Sequence, residues 1–258
     1  MFNKNQLVGI SLKKVSGSQA KYEKINADEK FFKKLENQTG EYSYTFLGSQ
    51  TKLGIVYKNK KPEFENVNTM IYIADSTGQQ RFTIQMQGNT TSRESNLSLD
   101  AKDLQSGAAL IGKVPLDSLQ KLAELTDKIP NDIFNAKTRS RDHLALKLKD
   151  FEGKTNEAKY KAMFNMVKKE AIGNPRGKEP VGNCKDDKEF VKNMKIAFSS
   201  KEERTRGAAN NKLLQLYFMS KFLSAPKKAR DRFVTDMIFL AAKQGRSIES
   251  FGVFGKLY

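Results

Sequence analysis

The stretch Gln6-Leu-Val-Gly-Ile-Ser-Leu-Lys-Lys-Val15, followed by Ser16-Gly-Ser18 and Ala20-Lys-Tyr-Glu-Lys-Ile25, sets the reading of the fold. Leu7, Val8, Ile10, Leu12 and Val15 suit a packed, pleated strand, residues 16–18 form a turn, and residues 20–25 read as a second, more polar strand. The pattern predicts a buried strand that delivers Lys13 or Lys14 at its end, then a hairpin.

Outward from there, residues 27–36 carry Phe31, Phe32 and Leu35 on one face behind an Asn26 or Asp28 cap, which predicts a short amphipathic helix ending near Gly40. Short alternating runs follow at 42–47, 53–57, 70–74, 82–87 and 97–101, separated by Gly48, Pro62, Gly78 and Gly88. From Pro115 the apolar spacing changes to that of helices. Leu116, Leu119, Leu122 and Ala123 begin the series, Tyr160, Met163, Phe164 and Val167 continue it within 158–171, and 189–198, 210–223 and 229–242 repeat it. Pro130, the Pro/Gly-rich segment 173–182 and Pro226 separate these helices, and the apolar end 250–258 reads as a strand returning to the sheet. The expected class is α+β, with a strand-rich mixed sheet over 1–114 and a helical region with a terminal strand over 115–258.

Charge is the strongest compositional fact. Lys and Arg number 46 against 29 Asp and Glu, a net +17 in 258 residues. Such a chain attracts polyanions, because neutralising phosphates releases counterions and gives salt-sensitive, sequence-independent affinity. Nucleic acid is the expected partner; an acidic protein docked on the basic faces is the weaker alternative. The single Cys184 excludes an intrachain disulfide, and with one histidine, His143, the chain lacks the ligands of a structural zinc site. Cys184 sits in a loop without a nucleophile signature, and His143 reads as a helix-surface residue. No run approaches a membrane span and the first residues lack a signal peptide's apolar core, so the expectation is a cytoplasmic protein without membrane contact.

The opening string resembles the third core strand of PD-(D/E)XK nucleases, in particular the restriction-endonuclease-like proteins of phage genomes. The resemblance covers residues 1–26 well and the strand-rich half loosely. In that family an acidic residue, any residue and a lysine end the strand, and a second acid stands one strand earlier. Two carboxylates hold Mg²⁺ against the scissile phosphate while the lysine orients the attacking water. The resemblance implies that Lys13 is the catalytic lysine, that Ser11 replaces the acid, and that Mg²⁺ is the cofactor of an active form. The family places a helix and two strands, with one acid, before this strand, whereas Met1 stands just upstream here. It therefore implies either a second chain that supplies the missing acid or a derivative that kept the scaffold without the chemistry, in the infected host cell or the virion.

Within the chain, Asp75 at the end of an apolar strand, followed by Arg81, Gln85 and Gln87, is a weak candidate metal ligand, and Asp100 is a comparable one. Any hairpin on a half-solvated sheet looks the same. Gly112-Lys113 among small residues predicts tight packing or backbone approach to a phosphate ahead of a helix. It is not a P-loop, since Val114 stands where a hydroxyl is required. Basic clusters at Lys13-Lys14, 58–61, Lys137/Arg139/Arg141, 147–149, 168–169, 204–206 and Lys227/Lys228/Arg230, with Arg176 in the Pro/Gly loop, are the expected phosphate contacts. Two readings stand: a nucleic-acid-binding, metal-dependent DNA endonuclease completed by a partner chain, or a non-catalytic DNA-binding or virion-associated structural protein.

Overall fold

The computed structural model describes residues 9–12, 22–25, 44–65, 69–88, 97–104, 109–115, 151–171, 179–246 and 254–257. Ten strands and four helices are described: β1 (Gly9–Leu12), β2 (Tyr22–Ile25), β3 (Thr45–Gln50), β4 (Ile55–Lys58), β5 (Lys61–Phe64), β6 (Thr69–Ala74), β7 (Gln80–Gly88), β8 (Leu97–Asp103), β9 (Ala109–Pro115), α1 (Lys154–Glu170), α2 (Asp187–Phe198), α3 (Glu203–Ser224), α4 (Lys227–Arg246) and β10 (Phe254–Leu257). The class is α+β, strands first and helices second, as the sequence predicts. The helix expected at 27–36 and the one expected from Leu116 lie outside the described residues.

The main sheet is antiparallel throughout, in the order β3-β6-β7-β8-β9. Strand alternation sorts its residues onto two faces. One carries Ile71, Ile73, Phe82, Ile84, Met86, Leu99 and Ala101, all buried, and α3 and α4 cover it. The other carries Tyr72, Thr83, Gln85 and Asp100. A two-stranded ribbon, β4-β5, stands apart from this sheet. Two aromatic groups tie the helices in. Phe222 meets Phe46 of β3 and packs with Phe218 and Phe233, and Phe151 joins Tyr160 of α1 to Phe190 and Phe198 of α2. Strands and helices thus share one core across residue 115.

Local chemistry explains the helix ends. Asp186 accepts a hydrogen bond from Glu189 N at 2.8 Å, and Glu189 Oε2 accepts one from Lys185 N at 2.7 Å, a reciprocal cap that starts α2 two residues before the apolar pattern does. Pro226 holds Ala225 extended, with φ −70° and ψ 149°, and so separates α3 from α4.

Three expectations are corrected. The strand at Gly9–Leu12 does not pair with Tyr22–Ile25 as a hairpin: β10 lies between them, parallel to β1 and antiparallel to β2. The return of the chain end is therefore real, and the mixed pairing belongs to this small sheet, not to the large one. Residues 109–115 are a sheet strand, so Gly112-Lys113 does not form a phosphate loop ahead of a helix. Its tight-packing alternative holds, because a Cβ on Gly112 would come within 2.2 Å of the Ala241 carbonyl oxygen of α4. Finally, the ribbon strand β5 escapes the sequence pattern because Pro62 reads as a break.

Candidate nucleic-acid interface

Of the residues singled out from the sequence, Lys13, Lys14, Lys137, Arg139, Arg141 and Arg176 lie outside the described residues. Ser11 faces Lys256 in β10, and Lys256 in turn faces Glu23 in β2. A serine, a lysine and a glutamate thus share one row of the small sheet, with Glu23 two strands or roughly 10 Å from Ser11. Sequence separation hid that row, since Lys256 comes from the far end of the chain.

Asp75 caps a turn. Its Oδ1 accepts from Thr77 N at 2.9 Å and from Thr77 Oγ1 at 2.5 Å, and Gly78, at φ +80°, lets the chain reverse into β7. The hydroxyl of Thr77 holds the Asp75 carboxyl below the usual carboxylate range. Asp100 lies elsewhere: its register partners are Gln85 on β7 and Lys113 on β9, and Gln85 pairs in turn with Met70, five residues or about 17 Å along β6 from Asp75. The two aspartates therefore belong to no common site. The sheet does bring Asp100 and Lys113 together, with Gln85 on the other side. Among the described residues no three His, Cys, Asp or Glu side chains gather as metal ligands would.

The basic run at the start of α4 is largely engaged. Lys227 Nζ pairs with Asp231 at 2.6 Å, and Arg232 Nε with Asp236 at 3.3 Å. Arg230 lies 5.4 Å from the Phe46 ring centroid and donates to the Leu223 carbonyl at the end of α3. Asp231 also accepts from Phe46 N at 2.9 Å, so this run docks α4 onto β3. Lys227, Lys228 and Arg232 are all exposed, the first and last of them beside their carboxylate partners. A second basic surface lies on the outer sides of α1 and α2. Lys154, Lys161 and Lys168 recur every seven residues on α1, and Lys188, Lys192 and Lys195 follow one side of α2. Lys195 bridges to Glu157 at 2.8 Å and Asn165 donates to Asp187 at 3.1 Å, which locks the two helices side by side.

A buried polar cluster in α3 escaped sequence reading altogether. Asn210, Asn211, Lys212 and Gln215 are buried beside Leu213, Leu214 and Leu216. Gln215 Oε1 accepts from Thr69 Oγ1 at 2.8 Å, and Thr69 Oγ1 lies 3.3 Å from Thr51 Oγ1. Burial pushes the Lys212 ammonium down to about 8; Glu65 acts to raise it and Lys52 to lower it further. Glu65, itself buried, accepts from Asn183 N at 3.2 Å. The segment ahead of Asn183 runs along the sheet margin, with Thr51 N donating to the Pro180 carbonyl at 2.6 Å and Leu53 N to the Val181 carbonyl at 3.1 Å. Gly182, at φ +68°, fits because a Cβ there would come within 2.1 Å of Glu65 Oε2. The last residues of the Pro/Gly loop are thus fixed by Glu65 and the sheet. Nearby Cys184 is buried, which with Glu189 and Asp186 pushes its thiol up to about 12, so it is no nucleophile at neutral pH.

Compared with protein-family models, curated proteins and solved structures, the chain matches none. No described helix is long and apolar enough to cross a membrane.

Proposed function

We propose that this chain binds nucleic acid, DNA foremost, through phosphate contacts that do not read sequence. The observation that carries the reading is the net charge of +17, with lysines spread over the exposed sides of α1 and α2 and at Lys228. Titration of a labelled duplex with the protein, with and without an excess of heparin as a competing polyanion, tests it. Heparin-sensitive binding of many unrelated sequences at similar affinity supports the reading, and absence of binding at low salt overturns it.

A second reading rests on the resemblance of the opening strand: a Mg²⁺-dependent endonuclease on a restriction-endonuclease-like phage scaffold, for which the described residues offer single carboxylates in two separate sheets. Asp100 stands between Gln85 and Lys113, and Glu23 stands on the row of Ser11 and Lys256. Lys13 is the water-positioning lysine in this version, and a partner chain supplies the missing acid. Plasmid cleavage with Mg²⁺ or Mn²⁺, by the chain alone and with the product of the adjacent upstream reading frame, decides it. Cleavage abolished by Lys13→Ala supports a split nuclease; binding without cleavage in every combination leaves a non-catalytic DNA-binding or virion-associated protein.

A further inference from the structure

We propose that the tip of the β4-β5 ribbon is a contact for single-stranded nucleic acid, in which Tyr57 stacks on an unpaired base and Lys58 and Lys60 hold the flanking phosphates. The inference rests on the nucleic-acid reading above and adds the class of strand. Tyr57 is 64% exposed, the one large hydrophobic side chain left in solvent among the described residues. Its neighbours at the tip are Lys58, Asn59, Lys60 and Lys61, all exposed. Lys61 is held by Glu202 just before α3, which sets the tip beside the exposed Lys201 and Arg204. Lys58 meets Glu63 at 3.1 Å, an exposed pair of the kind that exchanges readily for a phosphate. The register puts Tyr57 and Pro62 on one face of the ribbon and Lys58 and Lys61 on the other, with Lys60 in the turn. A strand that stacks a base on Tyr57 therefore passes round the tip, where Lys58 and Lys60 meet its phosphates. A duplex hides the faces of its bases in the stack, whereas an unpaired strand, loop or end offers them to an aromatic platform.

The turn itself argues that the lysine is kept for its charge. The ribbon register, Tyr57 with Pro62 and Lys58 with Lys61, leaves Asn59 and Lys60 as a two-residue loop, with φ 50° and 64°. That left-handed geometry favours Asn-Gly, and a lysine in the second position costs about 1 kcal/mol relative to glycine. Lys58 and Lys61 face each other across the ribbon, each offset by a carboxylate, Glu63 and Glu202. The turn lysine does not stabilise the hairpin; what it adds is positive charge at the tip, three residues from Tyr57.

The test measures binding of the full chain to fluorescein-labelled oligo(dT) and to a duplex of the same length by anisotropy, for wild type, Tyr57→Ala, Tyr57→Phe and Lys60→Gly. Loss of a stacked base predicts that Tyr57→Ala weakens oligo(dT) binding about fivefold to about a hundredfold and duplex binding less than about twofold, and that Tyr57→Phe restores it. Lys60→Gly relieves the turn, so the expected result is an unchanged or higher melting temperature together with a salt slope on oligo(dT) shallower by about 0.7. Unchanged oligo(dT) binding by Tyr57→Ala, or an equal loss on duplex, overturns this inference while leaving the nucleic-acid reading intact. Failure of wild type to bind either probe overturns both.

Discussion

Lys212 makes a sharp prediction about stability and pH. Its proton is held with a pKa of about 8 in the folded chain, against 10.5 for an ordinary lysine. Between those values the unfolded chain binds more protons than the folded one, so stability must rise with pH through this window. The penalty is fully present below about 8 and vanishes above about 10.5, and the difference corresponds to about 3 kcal/mol. Cys184 acts the other way. Its thiol is raised from 9.0 to about 12, so between those values the unfolded chain loses the proton first and stability falls. Urea unfolding of wild type and Lys212→Met across that range separates the two, because the Cys184 contribution is common to both proteins and cancels in the difference. The expected difference curve favours Lys212→Met at neutral pH and shrinks by about 3 kcal/mol toward pH 10.5. Glu65→Gln should move the inflection in wild type to lower pH, since it removes the charge that raises Lys212. A flat or growing difference curve would refute the reasoning.

Other perturbations follow from the packing. Gly112→Ala must displace α4 from β9 and should cost about 1 to 3 kcal/mol in chemical denaturation. Phe222→Ala empties the contact among Phe46, Phe218 and Phe233 and should cost about 3 to 5 kcal/mol by the same measurement. Asp75→Ala should destabilise by about 1 kcal/mol at neutral pH through the lost turn hydrogen bonds. Because the Asp75 carboxyl is held low, that contribution is present above the ordinary carboxylate range and fades as pH falls through and below it, which melting curves at neutral and acid pH would register.

The α+β division was legible because the two periodicities are local properties. Alternation in Met70 to Ala74 and Phe82 to Gln87, and the spacing of Tyr160, Phe164 and Val167, report burial within a few residues of each position. Pairing was less legible. No local signal says that Phe254–Leu257 enters between Gly9–Leu12 and Tyr22–Ile25, because that contact closes almost the whole chain. Gly112 carried its packing role in the sequence, but the same small residues also fit a phosphate loop, and only the helix lying on β9 separates the two. Lys212 was invisible for the opposite reason: Asn210, Asn211 and Lys212 read as the polar side of a helix, whereas α3 is covered on several sides at once. The basic clusters were plain, yet Lys227, Arg230 and Arg232 spend their charge on Asp231, the Phe46 ring and Asp236, contacts that need the fold to exist.

The most direct test of nucleic-acid binding is its salt dependence, measured as the affinity for a labelled duplex from about 50 to about 200 mM KCl. Phosphate binding predicts a straight line of log K against log salt whose slope is about −0.9 for each phosphate neutralised, and a shallower slope when Lys188 and Lys192 are replaced together by alanine. An affinity independent of salt, or no binding at the lowest salt, would contradict the account.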